Sequence, residues 1–177
     1  MPNQFWSALI SPPYTAAGAA YASSTTLTDV SPTPNFTIPA NYLIPGTAIK
    51  MTAFGTHSNT GTPTLILGFY YGGVAGTAIA ATSAITTTTG ATNWPWKLEF
   101  YGTVRTNGAT GTILGHGFLD LATSLTAVTH RPIPETALAT VTIDTTAAKA
   151  VTVGAQWGTS SASNTLTCHG FYFEAKN

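Results

Sequence analysis

The chain reads as an all-β protein, an antiparallel β-sandwich of jelly-roll type with about eight strands and an extended N-terminal arm. Three observations point there. From Trp96 to Val104 the residues alternate, with Trp96, Leu98, Phe100, Gly102 and Val104 on one side and Lys97, Glu99, Tyr101 and Thr103 on the other. A period of two marks a strand with one face in a core and one in water. Further apolar runs of strand length follow one another, separated by Gly, Pro, Asn and Ser turns at sandwich spacing. A helical period is absent beyond one short turn near the N-terminus, formed by Phe5, Trp6, Leu9 and Ile10.

Taken in order, residues 1–20 stand apart from the rest. Ser11-Pro12-Pro13 stops any helix begun at Phe5. Large apolar groups followed by a Pro/Ala/Gly spacer need a surface to cover them, either their own domain or a neighbouring subunit. The expectation is an arm over 1–20 that docks through Phe5, Trp6, Leu9 and Ile10, followed by a sandwich over 21–177. Residues 21–46 are cut by Pro32, Pro34, Pro39 and Pro45 into short extended pieces. Asn35-Phe36-Thr37 matches a glycosylation sequon, but with no export signal it reads as chance.

Regular strands begin at Thr47. Ile49, Met51 and Ala53 alternate with Lys50, Thr52 and Phe54, and Leu65, Leu67, Phe69 and Tyr71 share a face of the next strand. A weaker strand covers 77–82, and a Thr/Gly loop leads to the rigid Asn93-Trp94-Pro95 turn. The strand from Trp96 ends in Asn107-Gly108, the strongest short hairpin signal. The returning strand, 111–121, carries Gly115 and Gly117, where the Trp96 or Phe100 ring is expected to come close. Pro132 and Pro134 suggest an irregular crossover over 122–137. Strands over 139–145, 149–157 and 165–175 complete the set. The last is apolar on both faces, with Phe171 and Phe173 on one side and Leu166, Cys168 and Tyr172 on the other. The two long connections favour a jelly roll over an immunoglobulin-like sandwich.

Only 7% of the residues are charged, and six basic side chains balance six acidic ones. That balance leaves no electrostatic footprint for nucleic acid or an anionic membrane. No apolar stretch reaches membrane-span length, and the N-terminus lacks a basic n-region, so a chain made and folded in a cytoplasm is expected. A neutral, Thr-rich surface suits a subunit held in an oligomer or on a lattice better than a free monomer.

Chemistry is hard to find. His57, His116, His130 and His169 lie in no metal-ligand spacing. His116 and Asp120 share a strand face but stand about 13 Å apart. Cys168 and His169 are neighbours on a strand and point to opposite faces, so Cys168 is expected as a small buried residue. No nucleophile elbow, phosphate loop or marked carboxylate pair is present. The expectation is no catalytic residue, no metal and no cofactor. Exposed aromatics leave one binding alternative, a sugar platform built on Trp94 and Tyr101.

Four runs carry a resemblance: Ile44-Pro45-Gly46-Thr47, Leu65-Ile66-Leu67-Gly68-Phe69-Tyr70-Tyr71-Gly72-Gly73, Ala91-Thr92-Asn93-Trp94-Pro95-Trp96, and Ser163-Asn164-Thr165-Leu166-Thr167-Cys168-His169-Gly170-Phe171. Over roughly 36–175 the chain resembles small virion proteins of tailed bacteriophages, especially those infecting actinobacteria. The resemblance implies a β-sandwich that multimerises on the particle, as a capsid decoration or minor capsid protein or in the tail. No functional residue comes with it. The expected role is non-enzymatic: a homo-oligomer, a trimer, on the virion's capsid surface with the major capsid protein as partner. The alternative is a tail or fibre module that binds a host carbohydrate.

Overall fold

A computed structural model describes residues 7–176. Fourteen strand segments form two antiparallel sheets packed face to face. They are β1 (Ser7–Leu9), β2 (Tyr21–Ala22), β3 (Thr28–Asp29), β4 (Phe36–Ile38), β5 (Ala48–Ser58), β6 (Thr64–Tyr71) and β7 (Thr77–Ala81). After these come β8 (Ile85–Thr86), β9 (Trp94–Thr106), β10 (Gly111–Ser124), β11 (Ala127–Ile133), β12 (Val141–Ile143), β13 (Lys149–Trp157) and β14 (Thr165–Lys176). Sheet I runs β1-β14-β5-β9-β10-β11, with β2 also on β14 and β12 also on β10. Sheet II runs β3-β13-β6-β7, with β4 on β13 and β8 on β6.

If β1/β2 and β3/β4 count as the first two of eight principal strands, followed by β5, β6, β7, β9, β13 and β14, the sheets read 1-8-3-6 and 2-7-4-5. That is jelly-roll order, two Greek keys folded together. Strands β10 to β12 are inserted after the sixth and widen sheet I.

Strand β9 sits in the middle of sheet I, between β5 and β10. Its inward side chains, Trp96, Leu98, Phe100 and Val104, are buried, each contributing roughly 1.5–3 kcal/mol of transfer free energy before entropy is subtracted. Facing them across the sandwich are Leu65, Leu67 and Phe69 of β6 and Val151, Val153, Ala155 and Trp157 of β13. Phe100 settles into the space of two missing side chains. A Cβ on Gly102 or Gly115 would lie 2.6 Å from its ring. Trp96 lies instead over Gly55 of β5, and Gly117 approaches the Glu99 backbone and not a ring.

Several expectations need correction. The count of eight strands omitted the two- and three-residue pieces that the prolines of 21–46 leave paired to β13 and β14. Ser7–Leu9 is strand and not part of a helical turn, because it finds a free edge on β14. The irregular crossover over 122–137 is largely a hairpin in which β10 runs on to Ser124 and β11 returns beside it. Pro132 is tolerated there because β11 is an edge strand, where a missing N–H leaves no ladder bond unmade.

Strand β14 is not two-faced in the expected way. A β-bulge between Cys168 and Gly170 adds a residue and inverts the alternation. Leu166 and Cys168 before it, and Phe171 and Phe173 after it, therefore all enter the core, while Tyr172 turns outward.

Residues 7–20, expected as a separate arm, line their own sandwich. The Ile10 N–H donates to Phe173 O and the Gly18 N–H to Cys168 O. Gly18 also touches the second sheet's side, since a Cβ there would lie 2.4 Å from Val30 O. The segment closes one flank of the sandwich.

Candidate interaction surface

The two sheets differ on their outer faces. Of eight exposed large hydrophobics among the described residues, Leu9, Phe54, Tyr101, Val128 and Tyr172 lie on strands of sheet I, and none lies on a strand of sheet II. Sheet II closes its own surface: the buried Tyr70 ring covers Gly154, where a Cβ would come within 2.5 Å of it. On sheet I the alternation that buries Met51 and Phe100 necessarily turns Phe54 and Tyr101 outward. Phe54 stacks on Tyr172, with centroids 6.1 Å apart.

The same face gathers most of the scarce charge. Seven of the chain's twelve Lys, Arg, Asp and Glu residues sit at outward positions of β5, β9, β10 and β14. Glu99 lies 3.1 Å from Lys97 and 4.0 Å from Lys50 on the neighbouring strand. Lys176 lies 3.7 Å from Glu174, and Lys50 Nζ is 5.6 Å from the Tyr101 ring centroid. At one end of the face is a shallow groove of about 380 Å³, lined among others by Lys50, Tyr101, Arg105, Leu114, His116 and Leu138.

The residues singled out from sequence fall in different places. Phe5 and Trp6 lie outside the described residues. Leu9 is on β1 and 58% exposed, opposite Glu174. Ile10 is half-buried against the core. Trp94 and Tyr101 are seven residues apart on β9 and so point to opposite faces, about 23 Å from each other. The Trp94 ring meets the buried His57 edge-on at 6.3 Å, whereas Tyr101 projects into the groove. No shared platform brings the two together.

The histidines separate as well. His57 is buried, and desolvation lowers its pKa to about 4. The Trp94 backbone, too poorly placed for a full hydrogen bond, opposes this only in part. His169 meets the Thr56 hydroxyl at 3.1 Å and does not approach His116, whose cross-strand neighbour is Tyr101. Sequence reading missed a pair, His130 Nδ1 at 2.6 Å from Asp120 Oδ1 across the β10–β11 ladder. The stacking of His130 on Phe118, whose ring meets His116 edge to face, was missed too. Both depend on the β11 hairpin, which the two prolines disguised. Cys168 is buried, and desolvation pushes its thiol up to about 12. Among the described residues no group of three or more His, Cys, Asp or Glu is placed to hold a metal ion.

No protein-family model, no curated protein and no solved structure matches this chain.

Proposed function

We propose that the chain is a non-enzymatic structural virion protein of a tailed phage. In this reading it decorates the capsid surface as a homo-oligomer, a trimer, bound to the major capsid protein. The observation that carries this is the concentration of exposed large hydrophobics, five of the eight among the described residues, on strands of one sheet of a jelly roll that is only 7% charged. Decoration needs area and shape complementarity, on the order of 1,200–2,000 Å² per interface, and no reactive group. A single sheet face bearing aromatics and a few paired charges supplies the right composition, since interface cores are enriched in Tyr, Phe and Arg. The resemblance over 36–175 supplies the particle.

Electron microscopy of intact particles bearing a tagged copy tests the reading. Label distributed over the shell is the expected result; label confined to the tail, or none on particles, overturns it. The N-terminal contribution is tested separately by Phe5→Ala/Trp6→Ala. Deleting 2–20 would not serve, because 7–20 also closes the sandwich. Loss of particle binding with unchanged unfolding temperature is expected of the double variant, and full decoration overturns the arm.

The carbohydrate alternative keeps one favourable observation, a groove walled by Tyr101 and flanked by Arg105. Sugar binding abolished by Tyr101→Ala but not by Trp94→Ala is its distinguishing result on a glycan array.

A further inference from the structure

We propose that copies of this chain join through the outer face of sheet I, with Arg105 of one copy paired to Asp120 of the next. The proposal rests on the homo-oligomer reading above and adds the surface and the residues that would hold it.

The charges on that face almost cancel within the chain, and the remainder is informative. Lys50, Lys97, Arg131, Lys149 and Lys176 each have a carboxylate within 4.0 Å. Arg105 is the one Lys or Arg with none among the described residues. Of the carboxylates, Glu99, Glu135, Asp144 and Glu174 pair with Lys or Arg. Asp29, over on sheet II, accepts from the Ser31 N–H and Asn35 Nδ2. That leaves Asp120, whose ion-pair partner is a histidine. One guanidinium and one carboxylate thus remain on the same face without a partner of full opposite charge.

They cannot meet in one molecule. Asp120 stands opposite Lys97, and Arg105 lies eight residues further along β9, which is about 26 Å. Between them on β9 lie Glu99, Tyr101 and Thr103, and the stacked Phe54 and Tyr172 flank the far side of the same face on β5 and β14. A face whose other charges pair within the chain and that keeps one free charge of each sign, well separated, is complementary to a copy of itself. Packing copies in opposed directions, or head to tail around a ring, satisfies both ends. A near-neutral face of this kind fits neither nucleic acid nor an anionic membrane. Five strands by eight residues cover roughly 24 Å by 26 Å, about 600 Å² in projection. Side-chain relief raises that toward the ~800 Å² per partner of a stable interface.

The test is light-scattering mass measured behind size exclusion at micromolar concentration, on the full chain. The set is wild type, Arg105→Asp, Asp120→Arg, the double exchange, and Tyr101→Lys. An oligomeric wild type, at least tenfold weaker association in each single variant and recovery in the double exchange are expected. Thermal unfolding of each variant confirms that a smaller mass is a folded monomer. An oligomer indifferent to all three single changes, or a double exchange no better than either single one, overturns the Arg105–Asp120 contact while leaving oligomerisation standing. A monomeric wild type overturns the oligomer itself.

Discussion

His57 sets a particular response to acid. Its imidazole is buried on the inner face of β5, and its pKa is lowered to about 4. In the unfolded chain it takes up a proton near the ordinary value of about 6.5. As pH falls between those values the unfolded state gains a proton that the folded state refuses, so stability is complete above about 6.5 and is lost toward 4. The loss is on the order of 3 kcal/mol. Urea midpoints measured from pH 7.5 to 4 should fall in the wild type and hold more nearly level in His57→Leu; parallel slopes would refute the assignment. Gly115 is a second sensitive position. A Cβ there would lie 2.3 Å from Tyr101 O and 2.6 Å from the Phe100 ring. Overpacking of that kind typically costs about 1–3 kcal/mol. Gly115→Ala should show it as a lowered urea midpoint with an unchanged slope. The Cys168 thiol, buried and held protonated, should resist a soluble thiol reagent in the native protein and react on unfolding. Rapid native labelling would contradict its burial.

At the scale of elements, β14 and the segment that covers it decide how the sandwich closes. Its bulge lets four apolar side chains of one strand, Leu166, Cys168, Phe171 and Phe173, face the core in two phases. Removing the extra residue by deleting His169 would throw either Leu166 and Cys168 or Phe171 and Phe173 onto the wet face. A chain that remained fully folded without His169 would show that the bulge is not required. Residues 7–20 run along the other side of β14 and shield an edge that would otherwise present unpaired N–H and C=O groups. Deleting 2–20 should therefore lower stability and promote aggregation relative to deleting 2–6 alone. Differential scanning calorimetry on the two truncations separates these effects.

For the whole molecule the governing fact is asymmetry. Sheet II closes over itself with small residues and a buried tyrosine, while sheet I turns Phe54, Tyr101, Tyr172 and most of the charge to its outer face. A surface with so little net charge has weak repulsion to keep copies apart. Association of the wild type should consequently depend little on salt overall. The Arg105–Asp120 part should weaken between 0.05 and 0.5 M salt, as screening shortens the reach of exposed charges to roughly 14 to 4 Å. Mass measured across that range distinguishes an apolar seam with a charged rim from a purely electrostatic one.

What the sequence determined by itself was the fold class and the inner face of nearly every long strand. Side-chain alternation is a local property, and burial follows it wherever strands are regular. Trp96, Leu98, Phe100 and Val104, the β6 set and the β13 set were all legible for that reason. Turn chemistry was legible too, as Asn107-Gly108 shows, with Gly108 at φ 110°. Tertiary structure alone decided what depends on a partner strand. The bulge in β14 is a mismatch of two registers, and one strand's sequence shows only apolar residues at both parities without saying that they share a face. The β10–β11 hairpin holds Pro132 only because nothing pairs beyond it. The proximity of His130 to Asp120 follows from that hairpin, and the meeting of Trp94 with His57 from the pairing of β5 with β9. A period of two says which residues share a face. It does not say which strands lie side by side, and Phe54 on Tyr172, Lys50 at Glu99 and His130 at Asp120 are all contacts between strands.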